Sequence, residues 1–251
     1  MAQENVWDRE YRKSKLLTKD NKPQADVVRF VKYLKKEGCV NLLGTTMLDL
    51  GSGIGRNSFY FAEQGSQVIG FEISKTANEI AQKNLNQANM SRILLTDSSR
   101  SNLEEGYNTS RIPLDIKYVK RSIGEKFPVE DNSVDVVLDV TSSNSLSESE
   151  REVYLFETNR VLKDGGYFFV KALCKDGDDN AKYLLKNFPG KEKDTYIMPE
   201  LGVTERVWSK EDFILTYEKY FKIVKMEKKT SYSRMNNRSY KRNFWIVYLT
   251  K

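Results

Sequence analysis

The stretch Thr46-Met47-Leu48-Asp49-Leu50-Gly51-Ser52-Gly53-Ile54-Gly55 runs a short apolar segment directly into three glycines at alternate positions. A strand, a glycine turn and then a helix over Asn57 to Gln64 is the expected order, with Gly65 closing the helix. Such a turn lets the backbone approach a ligand closely. The spacing is G-x-G-x-G, with Arg56 where a dinucleotide fingerprint has its last glycine, and no Lys-Ser or Lys-Thr follows as in a P-loop.

Working outward, Gln67 to Glu72 reads as the second strand and Lys75 to Asn89 as a helix. Ile93-Leu94-Leu95 is expected to form a short strand, with Thr96 to Ser110 a polar loop or insertion. Asp115 to Val119 and Ser133 to Val140 read as strands. Glu150 to Leu162 is predicted helical, with Val153, Leu155, Phe156 and Val161 on its apolar face. Lys163 to Gly166 turns into the strand Tyr167 to Ala172, Ser209 caps a helix, and Phe221 to Val224 and Phe244 to Leu249 close the sheet. Before the glycine turn, Val27, Val28, Phe30, Val31 and Leu34 recur at helical spacing up to Gly38. Strands alternating with helices predict a doubly wound, Rossmann-like α/β fold: a mainly parallel seven-stranded sheet with an antiparallel last strand. Ligands in such sheets bind at the carboxyl ends of the strands. Residues 1–40 are expected to form a helical lid and 41–251 a single globular domain.

Composition narrows the chemistry. The 251 residues include no histidine, which removes imidazole bases, Ser-His-Asp schemes and H-E-x-x-H metal sites. Two separated cysteines, Cys39 and Cys174, make no disulfide framework or zinc cluster. With no apolar leader and no membrane-length apolar run, the expectation is a cytoplasmic chain without membrane contact. The net charge of +6 is concentrated: residues 222–242 hold Lys222, Lys225, Lys228, Lys229, Arg234, Arg238, Lys241 and Arg242 against one acid, Glu227. Tyr232 and Tyr240 interleave with them, so this segment is either an RNA-binding surface or a solvated hairpin at the sheet edge, and the hairpin is preferred.

Four stretches, in order, resemble class I S-adenosylmethionine-dependent methyltransferases, in particular the broad type 11 group. Leu48 to Gly55 resembles motif I. Val68 to Ser74 resembles the second strand with its acidic tip. Phe127 to Asp135 resembles the entry to the fourth strand, and Val161 to Gly166 the turn before the fifth. The run Gly55-Arg56-Asn57-Ser58 is also similar to tellurite-resistance-type methyltransferases. The resemblance implies S-adenosyl-L-methionine as cofactor, with the glycine loop at Gly51, Ser52 and Gly53, and with Asp49 and Asn57 beside it. Glu72, 21 residues after Gly51, would hold the ribose, next to Ile73. The family's adenine-binding acid falls on Ile123, so Ser122 and Ile123 would hold adenine by backbone and apolar contact. Trp7 and Tyr11 would cover the cofactor, or else pack the N-terminal helix on the core.

Asp139, at the carboxyl end of its strand, has a catalytic or cofactor-binding role or else a structural one, and it and Tyr11 are the candidate bases. A thiol, halide or other anionic acceptor would require none. No Asn-Pro-Pro-Tyr-like tetrapeptide follows the fourth strand, which disfavours DNA-base and glutamine acceptors and leaves a small molecule as the expected acceptor. An RNA methyltransferase using 222–242 and a cofactor-binding module without catalysis are the alternatives. Asp176, Asp178 and Asp179 read as an exposed acidic loop rather than a metal site. Oligomeric state is not legible.

Overall fold

A computed structural model describes residues 2–13, 22–37, 40–97, 112–235 and 238–251. In chain order the elements are α1 (Ala2–Arg12), α2 (Ala25–Lys36), β1 (Thr46–Leu50), α3 (Arg56–Glu63), β2 (Gln67–Glu72), α4 (Lys75–Asp97), β3 (Ile116–Lys120) and β4 (Val134–Val140). A 3-10 turn (Ser142–Ser145), α5 (Glu148–Val161), β5 (Leu162–Leu173), α6 (Asp179–Asn187), β6 (Thr195–Ile197), β7 (Thr204–Arg206), α7 (Lys210–Tyr217), β8 (Lys222–Met235) and β9 (Arg238–Thr250) follow. Seven strands form one sheet in the order β3-β2-β1-β4-β5-β9-β8. The pairs among β1 to β5 are parallel, and β9 runs antiparallel to both its neighbours. This is the expected Rossmann-like architecture with its antiparallel last strand.

Two apolar clusters cover the two faces of the sheet. Met47, Val136 and Phe169 face α2, α3 and α4. Leu48, Val137 and Phe168 face α5 and α7. The alternation Met47-Leu48 is the two-residue period of a strand buried on both faces. Phe30 of α2 sits at the centre of the first cluster, 5.2 Å from Phe169 and 4.9 Å from Tyr248 between ring centroids. Helix α2 belongs to the core, while α1 lies over the carboxyl edge of the sheet.

Several local expectations differ from the structure. Ile93-Leu94-Leu95 continues α4 rather than forming a strand. No glycine or proline interrupts the helix formers that precede it, and three apolar residues do not outweigh that context. Most of the expected 96–110 insertion, together with Gly38 and Cys39, lies outside the described residues. On α5, Phe156 is 56% exposed and Val153 is also exposed, whereas Tyr154, Arg151 and Thr158 are buried. On this mixed inward face the Tyr154 hydroxyl donates to Asp139 Oδ2 and Arg151 Nη2 to the Leu146 carbonyl. The acidic stretch after β5 is not simply exposed either. Asp178 is buried and caps α6 by accepting from the Ala181 N–H at 2.8 Å.

The segment 222–242 forms the edge hairpin β8–β9, which pairs beyond the end of β5 and so projects past the carboxyl edge of the sheet. No helix among the described residues is long and apolar enough to cross a membrane.

The packing makes opposite predictions for two phenylalanines. Phe30→Ala should lower unfolding free energy by about 3–5 kcal/mol in urea titrations. Phe156→Ser, on the face the sequence assigned to the core, should change it by less than about 0.5 kcal/mol.

Candidate cofactor site

The glycine turn after β1 is held by the end of β2. The N–H groups of Gly51 and Ser52 both donate to the Phe71 carbonyl, at 2.8 and 2.9 Å. The Gly53 N–H donates to Glu72 Oε2 at 2.8 Å, and the Ser74 N–H to Glu72 Oε1 at 2.7 Å. Gly51 and Gly53 have φ of +76° and +57°, a region that penalises side chains. A Cβ at Gly51 would lie 2.0 Å from Ser142 Oγ, and one at Gly53 2.6 Å from the Tyr11 hydroxyl. The loop thus passes between the segment after β4 and α1 with no room for a methyl group.

Asp49 is buried below the loop and accepts from the Ser58 hydroxyl at 2.6 Å, tying β1 to the first turn of α3. Asn57, also buried, accepts from the Gln24 N–H at 3.1 Å and fixes the start of α2 against α3.

These elements border a cavity of about 660 Å³ at the carboxyl edge of the sheet. Gly51, Ser52, Gly53 and Asn57 line one side, and Glu72 and Ile73 the next. Ser122 and Ile123 follow after β3, and Trp7 and Tyr11 of α1 form the cover. Sequence reasoning placed all of these at one site, and the structure brings them to one cavity. Asp49 and Asp139 stand behind the wall rather than in it. The Ser52 hydroxyl is buried without a hydrogen-bond partner and sits against Gly70 of β2.

Asp139 is fully buried. Its carboxylate accepts from the N–H groups of Ser142 and Ser143 at 2.8 and 3.3 Å, and from the Tyr154 hydroxyl at 2.7 Å. It braces the turn after β4, where Thr141 holds a left-handed φ of 69°. Burial pushes its pKa upward, against those hydrogen bonds. Tyr11 is likewise pushed up, first by burial and then by the nearby Glu72 charge. So raised, the phenol stays protonated at neutral pH.

Helix α1 is fastened on both sides of the cavity. Asp8 accepts from the Thr76 N–H at 2.8 Å and the Ser74 hydroxyl at 3.0 Å, which caps α4. Across the opening, the Gln3 side chain bonds the Ser145 carbonyl and both backbone groups of Thr204. The far wall is built by Leu146, Lys191, Glu192, Ile197 and Thr204. These residues were missed in the sequence, because β6 and β7 are three residues each, too short for periodicity to reveal. No cluster of three or more metal-ligating side chains occurs among the described residues.

Residues 48–170, just under half of the chain, match a family model described as a methyltransferase domain. No curated protein sequence matches the chain. A solved S-adenosylmethionine-dependent methyltransferase from Methanosarcina mazei is similar, with a TM-score of 0.64 at 18% identity over 86% of this chain and 96% of that one. The 1,6-didemethyltoxoflavin-N1-methyltransferase of Burkholderia thailandensis, solved with its substrate and S-adenosylhomocysteine, gives 0.63 at 13% over 99% and 87%. A methyltransferase from Anabaena variabilis gives 0.61 at 17% over 99% and 93%.

Burial pushes Asp49 up to about 6 and Glu72 up to about 7. Both carboxyls bind protons more tightly folded than unfolded, so stability should fall as pH rises from about 5 to about 7.5. Denaturant titrations across that range should show the decline, and Glu72→Gln should remove a large part of it. A flat profile in the unsubstituted protein would contradict the burial of these groups. Residues 48–170 of this chain match a methyltransferase-domain model, and the chain shares the fold of solved S-adenosylmethionine-dependent methyltransferases.

Proposed function

We propose that the chain is an S-adenosyl-L-methionine-dependent methyltransferase acting on a small-molecule acceptor. One observation carries the reading: the glycine loop, an acid at the tip of β2 and two lid aromatics converge on a single cavity of small-ligand size. Glu72 has lone pairs beyond those given to Gly53 and Ser74, and these suit the ribose hydroxyls. Ile123, with Ser122, offers an apolar and backbone seat for adenine. The turn Gly51–Gly53, whose backbone borders the cavity, flanks the amino-acid end.

The cofactor supplies a methyl group already activated on a sulfonium, so the protein's task is to align the partners and exclude water. Trp7 and Tyr11 cover the cavity for that purpose. Asp139, proposed from the sequence as a base, acts by holding the turn Thr141–Ser143, whose residues Thr141 and Ser142 border the transfer region. Tyr11 acts as cover and donor. With no histidine in the chain, this division of labour favours an acceptor that is nucleophilic without a protein base, such as a thiolate or another anion. The likeness of Gly55 to Ser58 to tellurite-resistance-type enzymes concerns the loop, whose last glycine enters α3 at φ +89°. The proposed setting is the cytoplasm, in keeping with a free, buried Cys174.

The RNA alternative rests on the basic hairpin. Three of its bases contact groups outside the hairpin: Lys229 meets Asp26 at 2.6 Å, Lys228 the Asp176 carbonyl at 3.3 Å, and Arg242 a buried cluster. The side chains of Arg234 and Arg238 lie outside the described residues. Exchanging the exposed Lys222, Lys225 and Lys241 for Gln should leave methyl transfer unchanged at low and high salt. Salt-sensitive RNA retention lost in that variant would support the RNA reading.

Calorimetric titration with S-adenosylhomocysteine tests the site. Glu72→Ala and Gly53→Val should each weaken binding at least about tenfold, about 1.4 kcal/mol. Normal binding by both would refute the assignment. Labelled cofactor with a small-molecule extract should yield a labelled product. Binding without any labelled product in small-molecule or RNA fractions would instead mark a module without catalysis.

A further inference from the structure

Alternation along the β6–β7 pair gives it two faces. Ile197 and Thr204 are opposite each other in register and line the cavity. Tyr196 and Glu205, the adjacent pair, point the other way. There the Tyr196 hydroxyl donates to Glu205 Oε2 at 2.5 Å and accepts from Arg242 Nη2 at 3.0 Å. Arg242 comes from the basic hairpin, and its Nε lies 3.6 Å from Asp178 Oδ2. Asp178 also accepts from the Asn243 N–H at 2.6 Å. Tyr196, Asp178 and Arg242 are all buried, so the guanidinium pairs with Asp178 away from water and reaches Glu205 through the Tyr196 hydroxyl. Removing one member of such a cluster leaves buried charge unpaired.

The cavity side of the same hairpin holds the lid. The Thr204 N–H donates to Gln3 Oε1 at 3.2 Å, Gln3 Nε2 donates back to the Thr204 carbonyl at 3.4 Å, and Arg9 Nη2 donates to the Leu201 carbonyl at 3.0 Å. A continuous path of contacts therefore runs from Arg242 through Tyr196, Glu205 and Thr204 to α1, which carries Trp7 and Tyr11.

We propose that Arg242 is a positioning residue for the cofactor lid. Through Tyr196 and Glu205 it fixes β6–β7 where α1 can latch, and so sets how fast the cofactor leaves. Arg242 itself does not line the cavity. The inference rests on the cofactor reading above, and it gives a basic residue of the hairpin a role other than surface charge.

S-adenosylhomocysteine is the probe, with release followed by stopped-flow fluorescence. Trp7 lines the cavity, whereas Trp208 and Trp245 are buried in the core, so the signal reports the lid. Arg242→Met and Tyr196→Phe should each speed release about tenfold, with association within about twofold. Arg242→Lys, which keeps the cation, should fall between them and the unsubstituted protein. Tyr196→Phe preserves ring volume and serves where Arg242→Met does not fold. Release at the unsubstituted rate in folded Tyr196→Phe overturns the proposal, as does equal acceleration by Lys222→Gln on the exposed part of the hairpin. Failure of the unsubstituted protein to bind the probe overturns the cofactor reading instead. In that event hydrogen exchange of residues 195–206 decides the positioning role: faster exchange in Tyr196→Phe supports it, and unchanged exchange refutes it.

Discussion

The Gly53 N–H to Glu72 hydrogen bond, with the paired Gly51 and Ser52 N–H groups on the Phe71 carbonyl, is the constraint on which the rest of the site depends. Parallel pairing of β1 with β2 brings Leu50 level with Phe71, so the turn leaving β1 meets the end of β2 at once. Backbone donors that would otherwise be orphaned at a strand end are satisfied there, and the glycines fold back without side chains to obstruct them. The helix α3 then starts beside the cavity, and Asp49 locks it through Ser58. A buried acid at the tip of β2 is costly, as its raised pKa reflects, and the backbone donors from Gly53, Ile73 and Ser74 offset part of that cost.

The second layer of the site is assembled from distant chain segments. Asp139 holds the turn after β4, α1 spans the opening, and the small β6–β7 hairpin forms the far wall. Side-chain hydrogen bonds help to fix each of them, and for β6–β7 the packing of Tyr196 in the core does so as well. Such contacts suit elements that must both close over a ligand and let it go. The core beneath, built on Phe30, Phe169 and Tyr248, supplies the rigid floor.

The fold was legible in the sequence wherever local signals and long-range packing agreed. The apolar run into Gly51, the alternation in β2 and the Val134–Val140 run each carried a period strong enough to read. So did the grouping of the cavity residues, because a resemblance in ordered motifs ties distant segments together. Three features escaped. Ile93-Leu94-Leu95 reads as strand in isolation, but its helix was already under way. Phe156 looked like core because apolarity was taken as burial, while Tyr154 and Arg151 go inward, each with a polar partner there. Asp139 sits at the right strand end for chemistry, yet its orientation depends on Tyr154 and on the turn that follows, which no spacing in the sequence records. Arg242 shows the same limit: within a run of bases it looks like surface charge, and only the tertiary fold turns it onto Tyr196.

The most direct test of the central claim is a crystal structure of the protein soaked or grown with S-adenosylhomocysteine. The account predicts both ribose hydroxyls on the Glu72 carboxylate, the amino-acid end over Gly51 to Gly53, and Trp7 and Tyr11 closed above. A ligand bound elsewhere, or one in this cavity whose ribose makes no contact with Glu72, would contradict it.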